Sequence, residues 1–393
     1  MAMGFEAEIH RRITDGHNTR LDGDTKLLQH PWFKLVSDKL TRSGVKFSNM
    51  EFVVAHFDQY TVAEPTAITA LTDRIAAIQA MSTQLYANVG QLGIVVPTQQ
   101  GAHQIQFRND PTYGPTQNLL VAPSPGADDN LLYVHYTVGF PPSDWQAMLA
   151  GVLTRQRGDG TYTRSHTHLT DGIAVAAATV TAFNLDIAAA VHQHGGNLAA
   201  VGQELHGHLA LLYMHAAVFV DRTLDLALAD LQGNHASQVK IANVTAQLDY
   251  GLQQPKNKIA ALPRTSLASM WGLLSPAARA VLTAKANDVL TAFSDKIEAE
   301  HDLDFPENYQ LTNAMGTASL GDFITAGLDG QTPYSQQILF GGMNEVGVDN
   351  SVNGRPTVPF EFRQIFGGRV DWATLQHNAT SVLRWSRDLT RAL

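Results

Sequence analysis

The chain has 393 residues, no cysteine and a formal net charge of −9. Hydrophobic residues make up 44% and charged residues 16%, which is the profile of a folded protein with a substantial core rather than of a disordered chain. The acidic balance argues against nucleic-acid binding, which depends on Lys and Arg at the phosphates, and the lack of cysteine excludes disulfides, thiolate metal sites and a cysteine nucleophile.

Up to about residue 140, short β-like runs alternate with polar loops, and one helical pattern interrupts them at 63–89. The clearest β-like runs are Gly4–His10, Lys46–Ala55, His103–Arg108 and Leu131–Phe140. Alternation of polar and apolar residues is typical of strands with one buried face, so this part predicts hairpins and meanders. The N-terminal residues carry charges at once and lack an apolar signal-type stretch, so we expect no Sec export.

Between about 141 and 301 the sequence becomes rich in Ala and Leu with helical periodicity. The predicted helices are 143–153, 171–194, 198–231 and 275–301. Gly195-Gly196 should end one of them, because glycine readily adopts the left-handed conformation of a helix C-cap. The most apolar stretches are shorter than the roughly 20 residues that a bilayer span needs, so they predict buried helices and no membrane contact.

Beyond about residue 302, loops rich in Gly, Asn and Pro precede a strand-like run at 357–366 and a final helix at 372–393. We predict an α+β fold in which a curved, mainly antiparallel sheet forms an open active-site funnel flanked by helices. The chain 1–393 would be one catalytic domain. In that domain, 1–140 and 302–393 would form the sheet, and 141–301 would be a helical insertion.

The most informative segment is Gly4-Phe5-Glu6-Ala7-Glu8-Ile9-His10. Strand alternation places Glu6, Glu8 and His10 on one face and the apolar residues on the other. Same-face neighbours stand about 7 Å apart, so the two carboxylates could hold neighbouring hard cations such as Mg²⁺, which prefers oxygen ligands and often shares them with phosphates. The alternative is an amphipathic edge strand with a solvated acidic face.

A second segment, Pro359-Phe360-Glu361-Phe362-Arg363, places Glu361 and Arg363 on one face and the two phenylalanines on the other. A carboxylate beside a guanidinium suits a metal–phosphate site, because the Glu can hold the cation while the Arg forks onto phosphate oxygens. The alternative is a structural salt bridge between these same-face neighbours.

Two further segments could line a polar cleft. A loop before a helix expected to begin near Ser266 carries Lys258 and Arg264, so these cations and the helix N–H groups could meet an anion. Gln104 and Gln106 share one face of a predicted strand, which suits a cleft wall. The alternatives are an ordinary surface loop and an exposed sheet face.

The sixteen histidines raise the alternative of a zinc enzyme. His208 and His215, seven residues apart, would share a helix face. No His-Glu-x-x-His element occurs, and Glu204 precedes its histidines at the wrong spacing for one. The histidines are therefore better explained by helix capping, by packing or by a polar network on a helix face than by the metal site of a His-based hydrolase. The histidines concerned are His166, His168, His192, His194, His206, His208 and His215.

The chain resembles the amidoligase and glutamate–cysteine ligase group of carboxylate–amine ligases, within the glutamine synthetase-like superfamily. That pattern is a Gly-x-Glu-x-Glu strand near the N-terminus, an apolar strand with a glutamate, a His-bearing strand, and a late Glu-Phe-Arg strand before a helix with tryptophan. Here it is carried, in that order, by Gly4-x-Glu6-x-Glu8, Met50-Glu51-Phe52-Val53, Val134-His135-Tyr136-Thr137, Glu361-Phe362-Arg363 and Trp372. The helical middle is left unaligned.

The resemblance implies binding of ATP with two or three Mg²⁺ ions. By position, the metal ligands would be Glu6, Glu8, Glu51 and Glu361. Arg363 would contact the γ-phosphate, and His135 would line the cleft. Further nucleotide-binding candidates are Lys258, Arg264, Gln104 and Gln106. Two departures from the family pattern matter: the usual His-x-His strand has become His135-Tyr136-Thr137, with one imidazole, and Asp58 rivals Glu51 as the middle carboxylate.

The implied reaction joins a carboxylate to an amine as an amide or isopeptide bond through an acyl phosphate. It needs no nucleophilic side chain, which agrees with a chain that lacks cysteine and a Gly-x-Ser-x-Gly element. The substrates would be small-molecule or peptide carboxylates and amines, or a protein. We expect a cytoplasmic enzyme, or an effector delivered without a Sec signal. The alternatives are a protein-modifying effector of the same fold and a catalytically inactive scaffold.

Overall fold

A computed structural model of the chain describes residues 2–14, 20–23, 25–42, 45–58, 62–87, 94–98, 101–107, 120–123, 131–155, 163–233, 259–301, 306–313, 316–331, 349–352, 355–362 and 368–391. The strands are β1 (Ala2–Thr14), β2 (Lys26–Gln29), β3 (Phe33–Arg42), β4 (Val45–Asp58), β5 (Ile94–Thr98), β6 (Gly101–Phe107), β7 (Leu120–Pro123), β8 (Leu132–Phe140), β9 (Leu262–Pro263), β10 (Gln310–Asn313), β11 (Gly316–Ser319), β12 (Asp349–Val352), β13 (Arg355–Phe362) and β14 (Gly368–Val370). The helices are α1 (Glu64–Ala87), α2 (Trp145–Leu153), α3 (Thr163–Ala182), α4 (Asn184–His194), α5 (Leu198–Gly233), α6 (Leu267–Gly272), α7 (Pro276–Ala284), α8 (Ala286–His301), α9 (Leu320–Asp329) and α10 (Trp372–Arg391).

The predicted α+β class is confirmed, with antiparallel strands near both ends of the chain and a helical middle. The chain divides into two compact units. The first unit contains residues 1–138 and 366–392, and the second contains residues 139–365. Strand β8 runs from the first unit into the second at its last two residues.

The first unit is built on antiparallel strands in the order β8-β1-β4-β3-β2-β6-β5, with β7 also paired to β1 and β14 to β8. Side chains on one face of this sheet are fully buried, among them Phe5, Ala7, Phe52 and Val134. Glu6, Glu8 and Glu51, which alternate with such residues on β1 and β4, are partly exposed. This alternation has the period of two that the sequence analysis predicted for one-sided strands.

Helices α1 and α10 pack against each other in the first unit, and α1 also packs against β4. Leu375, Ala379 and Val382 of α10 recur at helical spacing and are fully buried, as expected for an amphipathic helix. Arg387 of α10 is also buried, and its guanidinium donates a hydrogen bond to the carbonyl of Val62 at 2.9 Å.

The second unit is organised around helix α5, which packs against α2, α3, α4 and α7. Every residue from 205 to 221 of α5 is buried, which is the pattern of a helix surrounded by other elements. Strand β13 pairs with β12 and β9 in this unit, and β10 pairs with β11 as a separate hairpin. Phe360 of β13 packs edge-on against Trp145, with ring centroids 6.2 Å apart.

Several predicted helix boundaries are confirmed, and two predicted helices are wrong in length. Gly195 and Gly196 end α4 with φ of 78° and 115°, and Ser266 caps α6 by accepting a hydrogen bond from the Ser269 N–H. The predicted helix 171–194 is broken at Phe183, and 275–301 is broken at Lys285. Periodicity could not reveal these breaks, because the two helices on either side of each break keep the same 3.6-residue period.

Helix α9 lies in a part of the chain that we predicted to consist of loops. Its signals are present in the sequence: Ser319 and Asp322 form a capping box, and Gly330 closes the helix in the left-handed conformation. Among the described residues, no single helix is long and apolar enough to cross a membrane. A pair of segments, 165–182 and 184–194, meets the length and composition test together but is bent by 68°.

Candidate active site

Strand β1 lies between β4 and β8, and its register brings polar side chains of three strands together. Glu6 is opposite His135 of β8, and Glu8 is opposite both Glu51 of β4 and Tyr133 of β8. Directly paired residues on antiparallel strands present their side chains on one face, about 5 Å apart. Three of the predicted metal ligands therefore share one face of the first unit with the predicted cleft histidine.

The electrostatics of this face centre on Glu51. Burial is the largest cause that raises the pKa of Glu51 to about 10, followed by the negative charges of Glu6, Glu8 and Asp38. Asp38 on β3 is an acidic member of the group that the sequence analysis missed. In the sequence, Asp38 follows Lys34 and Val36 at steps of two residues, which is the spacing of one strand face. Leu35, on the other face, is buried. We call Glu6, Glu8, Asp38 and Glu51 the carboxylate cluster.

His135 is held beside this cluster by its own strand and by its neighbours. Its Nδ1 lies 3.8 Å from Oε2 of Glu6, and its ring meets that of Tyr133 edge-on at 4.6 Å between centroids. The imidazole is buried, with 2% of its surface exposed. A buried imidazole beside a carboxylate is an arrangement suited to accepting a proton, because the carboxylate stabilises the imidazolium that results.

The donor set fits a hard divalent cation such as Mg²⁺. All four groups of the carboxylate cluster offer oxygen, which is the ligand atom that Mg²⁺ prefers. Burial, followed by the repulsion of the neighbouring carboxylates, raises the pKa of Glu51 enough to keep it protonated at neutral pH. A bound cation would relieve that repulsion, because opposite charge favours the ionised form of each carboxyl group.

In the second unit, Glu361 is fully buried on β13, and its sequence neighbours Phe360 and Phe362 are buried as well. Pairing of β13 with β9 brings Arg264 beside it, and an Nη1 of Arg264 donates to Oε2 of Glu361 at 2.5 Å. The backbone N–H of Arg264 also donates to the carbonyl of Pro359 at 2.8 Å. Arg264, predicted to meet an anionic ligand, is therefore bound to a carboxylate of the protein.

Some of the predicted site residues lie outside the part of the chain that the structure describes. These are Arg363 and Lys258, and for Gln104, Gln106 and Asp58 the strand is described but the side chain is not. Their predicted roles stay predictions.

Four histidines of the helical middle, His168, His206, His208 and His215, are buried, whereas His166, His192 and His194 are exposed. His208 Nε2 donates to the carbonyl of Gly327 at 3.0 Å, and His215 Nδ1 donates to that of Leu211 at 2.6 Å. Burial lowers the pKa of both imidazoles to about 4. Within the described helices, no three His, Asp or Glu side chains lie close enough to share an ion. These contacts are those of a packed polar network.

Comparison with known proteins gives one distant structural likeness. No family model matches the chain, and no curated protein does. A solved structure described as a Vibrio cholerae toxin from the MARTX/VgrG family matches 93% of this chain and 94% of its own, with 13% sequence identity and a TM-score of 0.47. The amidoligase resemblance therefore rests on the sequence motifs.

Proposed function

We propose that the chain is an ATP- and Mg²⁺-dependent carboxylate–amine ligase that forms an amide or isopeptide bond through an acyl phosphate. The observation that carries the proposal is the carboxylate cluster, in which Glu6, Glu8 and Glu51 share one face with His135. Carboxylates crowded onto a single face attract divalent cations, and such cations commonly bring nucleotide phosphates with them. The order of the motifs in the sequence supports the same assignment.

The ions would be held by Glu6, Glu8 and Glu51, with Glu361 as the further ligand that the resemblance implies. When bound, Mg²⁺ would neutralise charge on the triphosphate and on the substrate carboxylate, which otherwise repel each other. Arg264 is a positioning residue in this proposal, because its guanidinium holds the carboxylate of Glu361. Arg363 keeps the predicted γ-phosphate contact, as a residue outside the described part.

The proposed reaction has two steps that balance without any covalent enzyme intermediate. First, a substrate carboxylate oxygen attacks the γ-phosphorus of ATP, so that ADP leaves and an acyl phosphate forms. Second, the amine attacks the acyl carbon, phosphate leaves with the electron pair of the broken C–O bond, and the amine loses one proton. In this proposal His135 takes that proton, and the carboxylate of Glu6, 3.8 Å from its Nδ1, stabilises the imidazolium.

The same chemistry serves two classes of substrate. In the main proposal the carboxylate and the amine belong to small molecules or peptides. In the alternative, a protein-modifying effector, they belong to side chains of a protein substrate. A catalytically inactive scaffold would convert neither class of substrate. A His-based hydrolase would require zinc in place of ATP.

The test is turnover of ATP with Mg²⁺ in the presence of fractionated metabolites or cell extract, followed as ADP and phosphate release. We expect release that depends on one carboxylate-bearing and one amine-bearing fraction, and loss of release in Glu6→Gln and His135→Asn. Glu64→Gln, which alters a partly exposed glutamate paired with Arg384 on α10, is the matched control. Mass spectrometry of small-molecule and protein fractions separates the two substrate classes. Release that persists in Glu6→Gln would contradict the proposal.

A further inference from the structure

Helices α3 and α4 lack the charged outer face that is usual for helices at a protein surface. Residues 172–185 contain no Asp, Glu, Lys or Arg. A surface helix normally carries charged or polar side chains on its outer face, so an uncharged face indicates that another surface covers it. The exposed residues of this stretch include Ala174, Ala178, Ala182 and Leu185.

Leu185 lies at the elbow between the two helices. Its side chain has 82% of its surface exposed, the largest fraction among the exposed large hydrophobic residues of the described chain. The inner side of α4 is formed by Ile187 and Ala190, which are buried, so Leu185 points away from the core. Single exposed leucines are ordinary at protein surfaces. What distinguishes this one is the groove beside it.

The groove lies between α3 and α8 and has a volume of about 450 Å³. It is lined by Ala178, Ala182 and Ala292 and by the ring of Phe183. Phe183 is two residues from Leu185, so the groove and the exposed leucine belong to one patch. The volume is within the range of roughly 300–1,000 Å³ that is typical of pockets for apolar groups. We call Leu185 and these four lining residues the elbow patch.

The edge of the elbow patch carries charges of both signs. Lys285 Nζ lies 3.3 Å from Oδ2 of Asp186 and 3.5 Å from Oδ2 of Asp288. Lys285 and Asp288 also border the groove. A mixed edge of this kind can meet a copy of itself without opposing only like charges. An anionic lipid surface is instead attracted by clusters of Lys and Arg, whereas Lys285 is already paired with two carboxylates.

We propose that the elbow patch is the interface of a two-fold symmetric dimer of this chain, in which Leu185 of each copy fills the groove of the other copy. The leucine and the groove lie on the same patch, so a single two-fold rotation makes both contacts at once. This is the self-complementarity of an isologous interface, and it favours a second copy over an unrelated protein as the partner. The inference is independent of the ligase proposal, because it uses no residue of the carboxylate cluster.

The test is the mass of the full chain in solution, measured by sedimentation velocity over a range of concentrations. We expect a reversible equilibrium between monomer and dimer. Burial of one leucine corresponds to about tenfold in affinity, and the symmetric dimer buries two, so Leu185→Gln should raise the dissociation constant about a hundredfold. Leu198→Gln is the matched control, because it changes an exposed leucine beyond the far end of α4 and should leave the dissociation constant unchanged.

A mixture of two variants tests the contact between leucine and groove itself. Ala178→Gln puts a longer side chain into the groove and should weaken the dimer although Leu185 is retained. When Ala178→Gln and Leu185→Gln chains are mixed, heterodimers should exceed both homodimers, because the heterodimer keeps one intact contact and each homodimer keeps none. Native mass spectrometry distinguishes the three dimers by mass.

Three outcomes would overturn the proposal. The first is a wild-type chain that stays monomeric at every concentration, and the second is a dimer that Leu185→Gln leaves unchanged. The third is a mixture in which heterodimers do not exceed the statistical proportion. Binding of the monomer to neutral phosphatidylcholine vesicles, lost in Leu185→Gln, would assign the patch to a lipid surface instead. An unchanged melting temperature of Leu185→Gln at monomeric concentrations shows that its weaker dimerisation is not caused by unfolding.

Discussion

At the scale of single residues, Glu51 is a candidate ligand whose pKa is strongly raised. Burial and three neighbouring carboxylates raise its pKa to about 10, so it carries a proton at neutral pH in the absence of a cation. A divalent ion needs the carboxylate form. Cation binding and proton loss should therefore be linked at this position.

We predict that Mg²⁺ binding releases a proton from Glu51. Calorimetric titration with MgCl₂ at neutral pH, in two buffers of different ionisation enthalpy, measures the released protons directly. Glu51→Gln should bind Mg²⁺ more weakly and release none, since the amide has no proton to lose on binding. Glu64→Gln should release as many as the wild type. Equal release by Glu51→Gln and the wild type would show that another group supplies the proton.

The pair of Arg264 and Glu361 gives a second prediction at this scale. Glu361 is fully buried and Arg264 has 15% of its side chain exposed, so removal of either partner leaves a buried charge without its counterpart. We expect Arg264→Met to lower the free energy of unfolding by about 3–5 kcal/mol. The double variant Arg264→Met, Glu361→Gln should recover part of that loss. Chemical denaturation of the single and double variants measures the coupling, and simple additivity would contradict it.

At the scale of elements, helix α5 approaches α2 closely at Gly207. A Cβ added there would lie 2.5 Å from Cβ of Trp145 and 3.0 Å from the backbone nitrogen of Gln146. Neither atom can move without a shift of the helix that carries it. The approach of the two helices therefore depends on a missing side chain.

We predict that Gly207→Ala destabilises the protein by about 1–3 kcal/mol or more, through overpacking between α2 and α5. Gly202→Ala, in the same helix, is the matched variant, because the nearest atom to its added Cβ is a Val180 methyl at 4.0 Å. It should stabilise the helix by about 0.5–1 kcal/mol, since alanine loses less backbone entropy than glycine. Denaturation with urea compares the two, and equal midpoints would refute the close approach.

Helices α3, α5 and α8 also share a charged network. Lys296 of α8 lies 3.0 Å from Asp171 of α3 and 2.9 Å from Glu300, which accepts a hydrogen bond from Tyr213 of α5 at 3.2 Å. Nearby, His168 Nε2 lies 3.5 Å from Oδ2 of Asp221. Burial, followed by the hydrogen bond with Asp171, raises the pKa of Glu300 to about 7.

This network predicts a pH-dependent stability. A carboxyl group whose pKa rises from 4.5 to about 7 on folding contributes stability that is complete below pH 4.5 and is lost as the pH rises through 7. Glu300→Gln should flatten the fall in melting temperature over that window. Glu298→Gln, at an exposed position of the same helix, should leave the fall unchanged. A profile for Glu300→Gln that still falls like that of the wild type would rule out Glu300 as its origin.

The pKa of Asp171 shifts in the opposite sense and acts in another pH range. Burial works to raise it, and hydrogen bonds with Glu300 and Lys296 outweigh burial, so the pKa of Asp171 is lowered from its usual 3.8. Its contribution to stability is present above that value and is lost only as the pH falls further. Asp171 therefore contributes little between pH 4.5 and 7. Because Glu51, His208 and His215 also titrate differently in the folded and unfolded chain over this window, the contribution of Glu300 is the difference between the profiles of the wild type and Glu300→Gln.

At the scale of the whole molecule, a ligand that binds only the folded chain stabilises it by mass action. We predict that ATP with Mg²⁺, at a hundredfold excess over its dissociation constant, raises the free energy of unfolding by about 2.7 kcal/mol. A thermal-shift measurement with ATP and Mg²⁺ together should exceed the shifts from either alone. Zinc and a zinc chelator should have no comparable effect. A shift with zinc alone would favour the hydrolase, and no shift with any of them would favour the scaffold.

The sequence by itself determined the elements whose signals are local. Alternation over two residues predicted which side of β1 is apolar and buried. The spacing of Phe360 and Phe362 predicted one buried face of β13, but not that Glu361 on the other face is buried as well. Gly195-Gly196 predicted the end of α4, because both residues have a positive φ, which glycine adopts without the strain that a side chain would cause. Such signals depend on a residue and its near neighbours along the chain, so they can be interpreted without the fold. The capping box of α9 belonged to the same class and was overlooked.

Only the tertiary structure decided which distant groups meet. Asp38 joins Glu51 because β3 pairs with β4 in a particular register, and the shifted pKa of Glu51 follows from that pairing. Arg264 reaches Glu361, 97 residues away in the chain, because β9 pairs with β13. Strand register is set by the fit of whole faces and by the connections between strands, neither of which is encoded at the residues that end up in contact. The partners of a buried charge are therefore a property of the fold.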